Sequence, residues 1–172
     1  MFSFSLGIKG STFLARINFD YVLRSPCEIM HCVFLGVVRA MLQFFINHKT
    51  FGISAENKKL IDERIKLIHM PSNVTRKLRT FGEMANFKSS EFQNIFYFGI
   101  FLFEGIWKNE HYNLLFFLSS AVFKLFIRLA TDLQIDTARK EIDQFIEVFR
   151  AHSFADHLSK YNTHCLIHLY DD

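Results

Sequence analysis

SPCEIMHCVFLGVVRAML, residues 25–42, is the stretch that decides the fold. Its apolar side chains recur at helical spacing, which predicts a helix with one face in a core. Ser25 suits the N-cap, Pro26 suits the first helical position, and Glu28 completes an S-x-x-E capping box. The apolar stripe comprises Met30, Phe34, Val37, Val38, Met41 and Phe45.

Similar periodicity continues along the chain and predicts five more helices. They cover about 54–70, 89–107, 111–131, 134–151 and 161–170. A polar connector, residues 71–90, separates the second helix from the third, and residues 16–23 (RINFDYVL) form the one candidate strand. We therefore expect a mainly α fold of about six helices, with at most one or two short strands. No linker divides residues 1–172, which predicts a single domain or a fragment of a larger one.

The composition favours a large apolar core. Half of the 172 residues are hydrophobic, and 22 are Phe. The longest apolar runs are interrupted by Glu104, Lys124 and Arg128, which favours buried helices over membrane spans. The net charge of +3 permits a nucleic-acid partner without requiring one. Three cysteines without regular spacing indicate reduced thiols, and therefore a nuclear or cytoplasmic, intracellular protein.

Two groups of side chains have the spacing of half a metal site. Cys27, Glu28 and His31 share one side of the first predicted helix, but a core cysteine, a cap and a histidine at the stripe's edge explain them better. His164 and His168 are four residues apart, as in a two-histidine zinc site. Packed or hydrogen-bonded histidines are the more common explanation for such a pair.

Glu91 is a stronger candidate because of its surroundings. It lies in the first turn of a predicted helix, in line with the apolar positions Ile95, Phe98 and Leu102. A carboxylate in such a row is expected to be partly buried, and an unpaired buried charge is costly. We therefore predict a cation or hydrogen-bond donor beside Glu91.

The connector carries the densest basic cluster on the chain. Arg76, Lys77 and Arg79 lie within it, and Lys88 lies near its end. Such residues are suited to contact DNA phosphates, which dominate nucleic-acid affinity. A solvated polar surface is the simpler alternative.

Three blocks of sequence, in this order, resemble the transposases of CACTA (En/Spm-like) DNA transposons, and more narrowly the animal proteins derived from them. The blocks are FDYVLRSPCEIMHCVFLGVVRAML (19–42), IHMPSNVTRKLRTFGEMANFKSSEF (68–92) and YNTHCLIHLYDD (161–172). The resemblance implies a DDE-type nuclease and strand transferase with an RNase H-like core. In such an enzyme two Asp and one Glu hold two Mg²⁺ (or Mn²⁺) ions for phosphodiester transfer.

The resemblance also implies roles for particular residues. Glu91 matches the catalytic Glu, His31 matches the histidine of a D-x-M-H motif, and Asp20 matches a second metal ligand. Asn162, His164 and His168 match a late motif of unassigned role.

The chain also departs from the family pattern. Glu28 replaces the Asp of D-x-M-H, and Phe87 replaces a Trp. The family's first catalytic Asp belongs on a strand upstream of these blocks, so the chain is expected to correspond to the C-terminal part of a transposase.

Three functions follow as hypotheses. The first is a transposase-derived protein that is inactive alone, with Mg²⁺ or Mn²⁺ as cofactor only if it is active. The second is a helical binding module that takes DNA on the connector or a protein on an apolar face. That protein would be another copy of the chain or a missing N-terminal transposase segment. The third is a structural zinc protein using His164, His168 and a cysteine. None involves a membrane.

Overall fold

The computed structural model describes residues 28–74, 76–152, 155–158 and 161–169. These residues contain helices and no strand, so the predicted mainly α class is confirmed. The α-helices are α1 (Met30–Asn47), α2 (Ala55–Leu67), α3 (Ser89–Phe98), α4 (Asn109–Leu125), α5 (Asp132–Ala151), α6 (Ala155–Leu158) and α7 (Tyr161–Cys165). Short 3-10 helices cover Phe81–Asn86, Ile100–Phe103 and Leu166–His168. The candidate strand at 16–23 lies outside the described residues, and the RNase H-like core stays a prediction.

Helix α1 begins further along the chain than the sequence predicts, and its first turns are wider than those of an α-helix. Ser25, Pro26 and Cys27 lie outside the described residues, and Glu28 precedes the helix. Its first half, Met30–Val38, is π-helical: the N–H of Arg39 reaches the carbonyl of Phe34, five residues back. The described capping contacts of Glu28 run forward, because its carboxylate accepts the backbone N–H groups of Met30 and His31.

Helix α1 also forms the centre of the core. Of the six predicted stripe residues only Met30 is not buried, and the other five pack inward. Phe34 meets the rings of Phe96 and Tyr97 on α3, and Phe45 stacks on His111 of α4. Within the described residues, α1 is the one helix long and apolar enough to cross a membrane, and half of it is buried inside the protein.

The predicted helix over 89–107 is interrupted in the structure. Helix α3 ends at Phe98, Gly99 is its C-cap, and a 3-10 turn follows. At Gly99 a Cβ would lie 2.9 Å from Ile95 Cα, and Gly105 takes a left-handed φ of 69°. These two glycines let the chain turn, which buries Trp107 and leaves Phe98 exposed, contrary to its predicted place in an inward row.

Helices α4 and α5 form an antiparallel hairpin and make the most extensive helix–helix contact among the described elements. Helix α4 ends at Leu125, six residues before its predicted end. Thr131 then caps α5, because its hydroxyl accepts the N–H of Gln134 while the Gln134 side chain accepts the N–H of Thr131. The turn between the two helices, residues 126–131, is called the tip below.

Candidate functional site

Glu91 lies at the point where the connector meets α3. It occupies the first turn of α3, and only 1% of its surface is exposed. One carboxylate oxygen, Oε2, accepts the backbone N–H of Lys88 at 2.8 Å. The carboxylate therefore satisfies an N–H group at the helix start and complements the helix dipole there.

Arg79 supplies the cation that the sequence predicts beside Glu91. Its Nε donates to Glu91 Oε1 at 2.6 Å, and its Nη2 donates to Oε2 at 3.0 Å. The same guanidinium also donates to the Glu83 carboxylate and to the carbonyl of Asn86, and it lies over the ring of Phe87. Both oxygens of Glu91 are thus held in a two-pronged ion pair, the geometry that favours arginine over lysine.

The ion pair keeps Glu91 ionised despite its burial. Burial by itself would raise the pKa of the Glu91 carboxyl. The hydrogen bonds from Arg79 and Lys88 and the positive charges of Arg79 and Arg76 outweigh burial, and the pKa of Glu91 is lowered. In turn, the hydrogen bonds to Glu91 raise the pKa of Arg79. The prediction of a buried carboxylate beside a cation is confirmed.

The same contacts bear on magnesium binding. Mg²⁺ binds through carboxylate oxygens, and both Glu91 oxygens already face a guanidinium. In this arrangement both Glu91 oxygens are engaged by hydrogen bonds from Arg79 and Lys88, so a magnesium ion at Glu91 would have to displace Arg79 from at least one of them. The second predicted ligand, Asp20, lies outside the described residues. Among the residues that the structure describes, no three His, Cys, Asp or Glu side chains come together.

Two further side chains fix the connector to the helices. Buried Asn94, one turn after Glu91, donates from Nδ2 to the Arg76 carbonyl at 2.8 Å. On the other side, Asp62 of α2 accepts the Phe81 N–H at 2.8 Å. Sequence reasoning missed both anchors. The one signal available was the spacing of Asn94, which lies three residues after Glu91 and so shares its helix face.

The anchored connector presents its basic side chains to solvent. Arg76, Lys77 and Lys88 are exposed, whereas Arg79 is turned inward to Glu91 with about a third of its side chain accessible. A cleft of about 520 Å³ lies between the end of α2 and the connector. Its basic lining residues are Lys66, His69, Lys77 and Arg79. Three of the four predicted DNA-binding residues therefore remain available to a ligand.

His31 is not part of this group. Its side chain is largely exposed at the start of α1, and its Nδ1 lies 2.6 Å from Glu28 Oε2. The side-chain hydrogen bond that the structure describes for His31 is the one with Glu28. The structure thus places His31 beside Glu28 and does not bring it against Glu91.

The late motif packs against α1. The Cys32 thiol donates to the Asn162 carbonyl at 3.3 Å, and a Cβ at Gly36 would lie 2.3 Å from Asn162 Nδ2. Gly36 therefore allows α7 to approach α1 closely. His164 is half-buried on α7, and the His168 side chain lies outside the described part of the chain, so the zinc pair stays a prediction.

Comparison with known protein families, with curated proteins and with solved structures found no match to this chain.

Proposed function

We propose that this chain is a transposase-derived helical module that binds DNA through its connector and does not cleave DNA by itself. The proposal rests on the resemblance to the C-terminal part of CACTA-type transposases and on one structural observation. That observation is the two-pronged ion pair between Arg79 and buried Glu91. In this proposal Glu91 anchors the connector and is not a metal ligand.

The anchoring favours binding because it fixes the backbone beneath the charges. Asn94 holds the connector at Arg76, Glu91 holds it at Arg79, and Asp62 holds it at Phe81. A basic segment held in place loses less conformational entropy when it meets a phosphate than a free segment does. The backbone that carries the exposed charges of Arg76, Lys77 and Lys88 is thereby held in place.

The same ion pair argues against catalysis by the chain alone. Metal-dependent strand transfer needs carboxylate oxygens free to bind the metal ions. For Glu91 to serve, Arg79 would have to leave a buried carboxylate that it neutralises, and this exchange is costly. A DNA-binding role also agrees with the predicted location inside the cell, in the nucleus or cytoplasm, which remains part of this proposal.

DNA binding can be measured by fluorescence anisotropy of a labelled short duplex over a series of salt concentrations. We expect Lys77→Ala to weaken binding and to reduce the slope of log affinity against log salt by about 1, the value for one lost phosphate contact. Lys140→Ala, an exposed lysine on α5, is the matched control and should leave both quantities unchanged. Equal effects of the two variants, or no binding by the unmodified chain, would refute the connector as the DNA site.

Cleavage can be tested separately with supercoiled plasmid in Mg²⁺ and in Mn²⁺. We expect the unmodified chain and Glu91→Gln to give the same background, because Glu91 does not bind metal in this proposal. Metal-dependent nicking by the unmodified chain that disappears in Glu91→Gln would show a working metal site and overturn the non-catalytic assignment.

A further inference from the structure

Helix α4 has two apolar faces, and only one of them belongs to the core. The inner face consists of buried side chains, which include Leu114, Leu115, Leu118, Ala121 and Val122. On the outer side Phe116 and Phe123 are 47% and 60% exposed, and exposed Ile127 lies just past the helix end. Phe116 and Phe123 are seven residues apart, so they share one side of α4, and together with Ile127 we call them the outer stripe.

Neighbouring helices flank the outer stripe without covering it. On one side Ser119 donates its hydroxyl to the Phe96 carbonyl of α3, at 2.9 Å. On the other side Ser120 donates to Glu141 of α5, which also pairs with Lys124 at 2.7 Å. The outer stripe therefore faces away from the core between α3 and α5.

Further exposed apolar side chains lie at the tip and in the first turn of α5. Phe126, Leu129 and Leu133 are also largely exposed there. A contiguous apolar patch on a folded protein marks an interaction site more often than scattered apolar residues do. Seven-residue spacing on one side of a helix is the pattern that packs against another helix.

The pattern around the outer stripe is symmetric along α4. Large side chains at Phe116 and Phe123 enclose the small pair Ser119–Ser120, and the order is the same when read in either direction. A two-fold axis through the serines would place Phe116 of each copy against Phe123 of the other copy. Such self-complementarity is what an isologous dimer interface requires.

The charges at the two ends of α4 match this arrangement. Lys108 and Glu110 lie at its start, and Arg128 and Asp132 lie beyond its end, around the tip. An antiparallel pair brings the start of one α4, with Lys108 and Glu110, towards the tip of the other copy, with Arg128 and neighbouring Asp132, so charges of both signs meet at each end. It also opposes the two helix dipoles. We propose that the outer stripe is the interface for a second copy of this chain, with α4 packed antiparallel on α4.

Sedimentation velocity over a range of protein concentrations tests the proposal. We expect a species of twice the 20.3 kDa mass of one chain. Phe116→Glu should raise the dimer dissociation constant about 100-fold, because it places a charge at the centre of an apolar interface. The matched control is Leu67→Glu on α2, where an equally apolar side chain is 75% exposed outside the outer stripe, and it should leave the dimer unchanged.

The orientation has its own test. Phe116→Lys alone and Phe123→Glu alone should each weaken the dimer. The double variant should recover much of the affinity, because an antiparallel pair brings each lysine to the glutamate of the other copy. Circular dichroism checks that all variants fold, which is expected since both positions are solvent-exposed. An unmodified chain that stays monomeric at tens of micromolar, including one that binds only some other protein, would overturn the proposal. A double variant no better than the single ones would overturn the antiparallel orientation.

Discussion

Glu28 and Glu91 are two carboxylates in very different surroundings. Each lies at the start of a helix, accepts backbone N–H groups there and meets a basic side chain nearby. Glu28 is exposed and pairs with exposed His31, whereas Glu91 is almost fully buried and is held at both oxygens by Arg79. The two carboxylates therefore share a place at a helix start but differ in partner and in burial.

This difference determines what each carboxylate contributes. Water competes for Glu28 and screens its pair with His31, so that pair adds little to stability. The backbone N–H of Met30 is the main cause that lowers the pKa of Glu28, so its role there is that of a local cap. Glu91 cannot return to water when the protein is folded, so loss of its partner leaves a buried charge. Glu91 therefore ties α3 to the connector, which contains the 3-10 helix Phe81–Asn86.

The largest effect is expected where this ion pair is broken. Glu91→Gln removes one charge and should cost about 3 kcal/mol of unfolding free energy, the lower end for buried pairs because Arg79 still reaches solvent. Arg79→Ala should cost more than Glu91→Gln, because it leaves the carboxylate buried and unneutralised. Urea unfolding followed by circular dichroism measures both. If both variants had the same unfolding free energy as the unmodified chain, the buried ion pair of Glu91 would stabilise the fold no more than the exposed pair of Glu28 does.

A buried histidine, His111, sharpens the comparison. His111 is buried against the Phe45 ring, and burial is the main cause that lowers its pKa to about 4. His111 therefore takes up a proton near pH 6.5 in the unfolded chain but only near pH 4 in the folded chain. The contribution of His111 to the unfolding free energy is complete above pH 6.5 and is lost as the pH drops from 6.5 towards 4.

The expected loss from His111 between pH 8 and pH 5 is about 2 kcal/mol. Glu91 should remain ionised over this range, because its pKa is lowered from 4.5. Urea unfolding at several pH values measures the slope, and His111→Phe should flatten it while keeping a ring in place. An unchanged slope in this variant would assign the pH dependence to other groups.

The smallest effects are expected at Glu28. Glu28→Ala removes a cap from exposed backbone at the start of α1 and should lower the melting temperature by about 2 °C. His31→Ala removes only the surface pair and should change the melting temperature by less than Glu28→Ala does. Thermal unfolding resolves the order of the two. A loss in His31→Ala as large as that in Glu91→Gln would show that His31 has a partner other than Glu28.

The sequence predicted helices better than helix ends. Apolar periodicity located α1, α4 and α5, because a core-facing stripe leaves a regular pattern. It predicted one helix where the chain turns at Gly99, since glycine within a helical pattern is tolerated as often as it ends a helix. The symmetric outer stripe of α4 was also hidden, because exposed and buried apolar residues look alike in the sequence.

The sequence by itself determined the mainly helical class, the basic connector and the burial of Glu91. Each of these follows from local spacing: period 3.6, a charge cluster, and a carboxylate in line with an apolar row. Only the tertiary structure decided that Arg79, among the connector's basic residues, pairs with Glu91, and that Asn94 and Asp62 hold the connector. Such pairings depend on distances between segments far apart in the chain, and packing, not residue spacing, sets those distances.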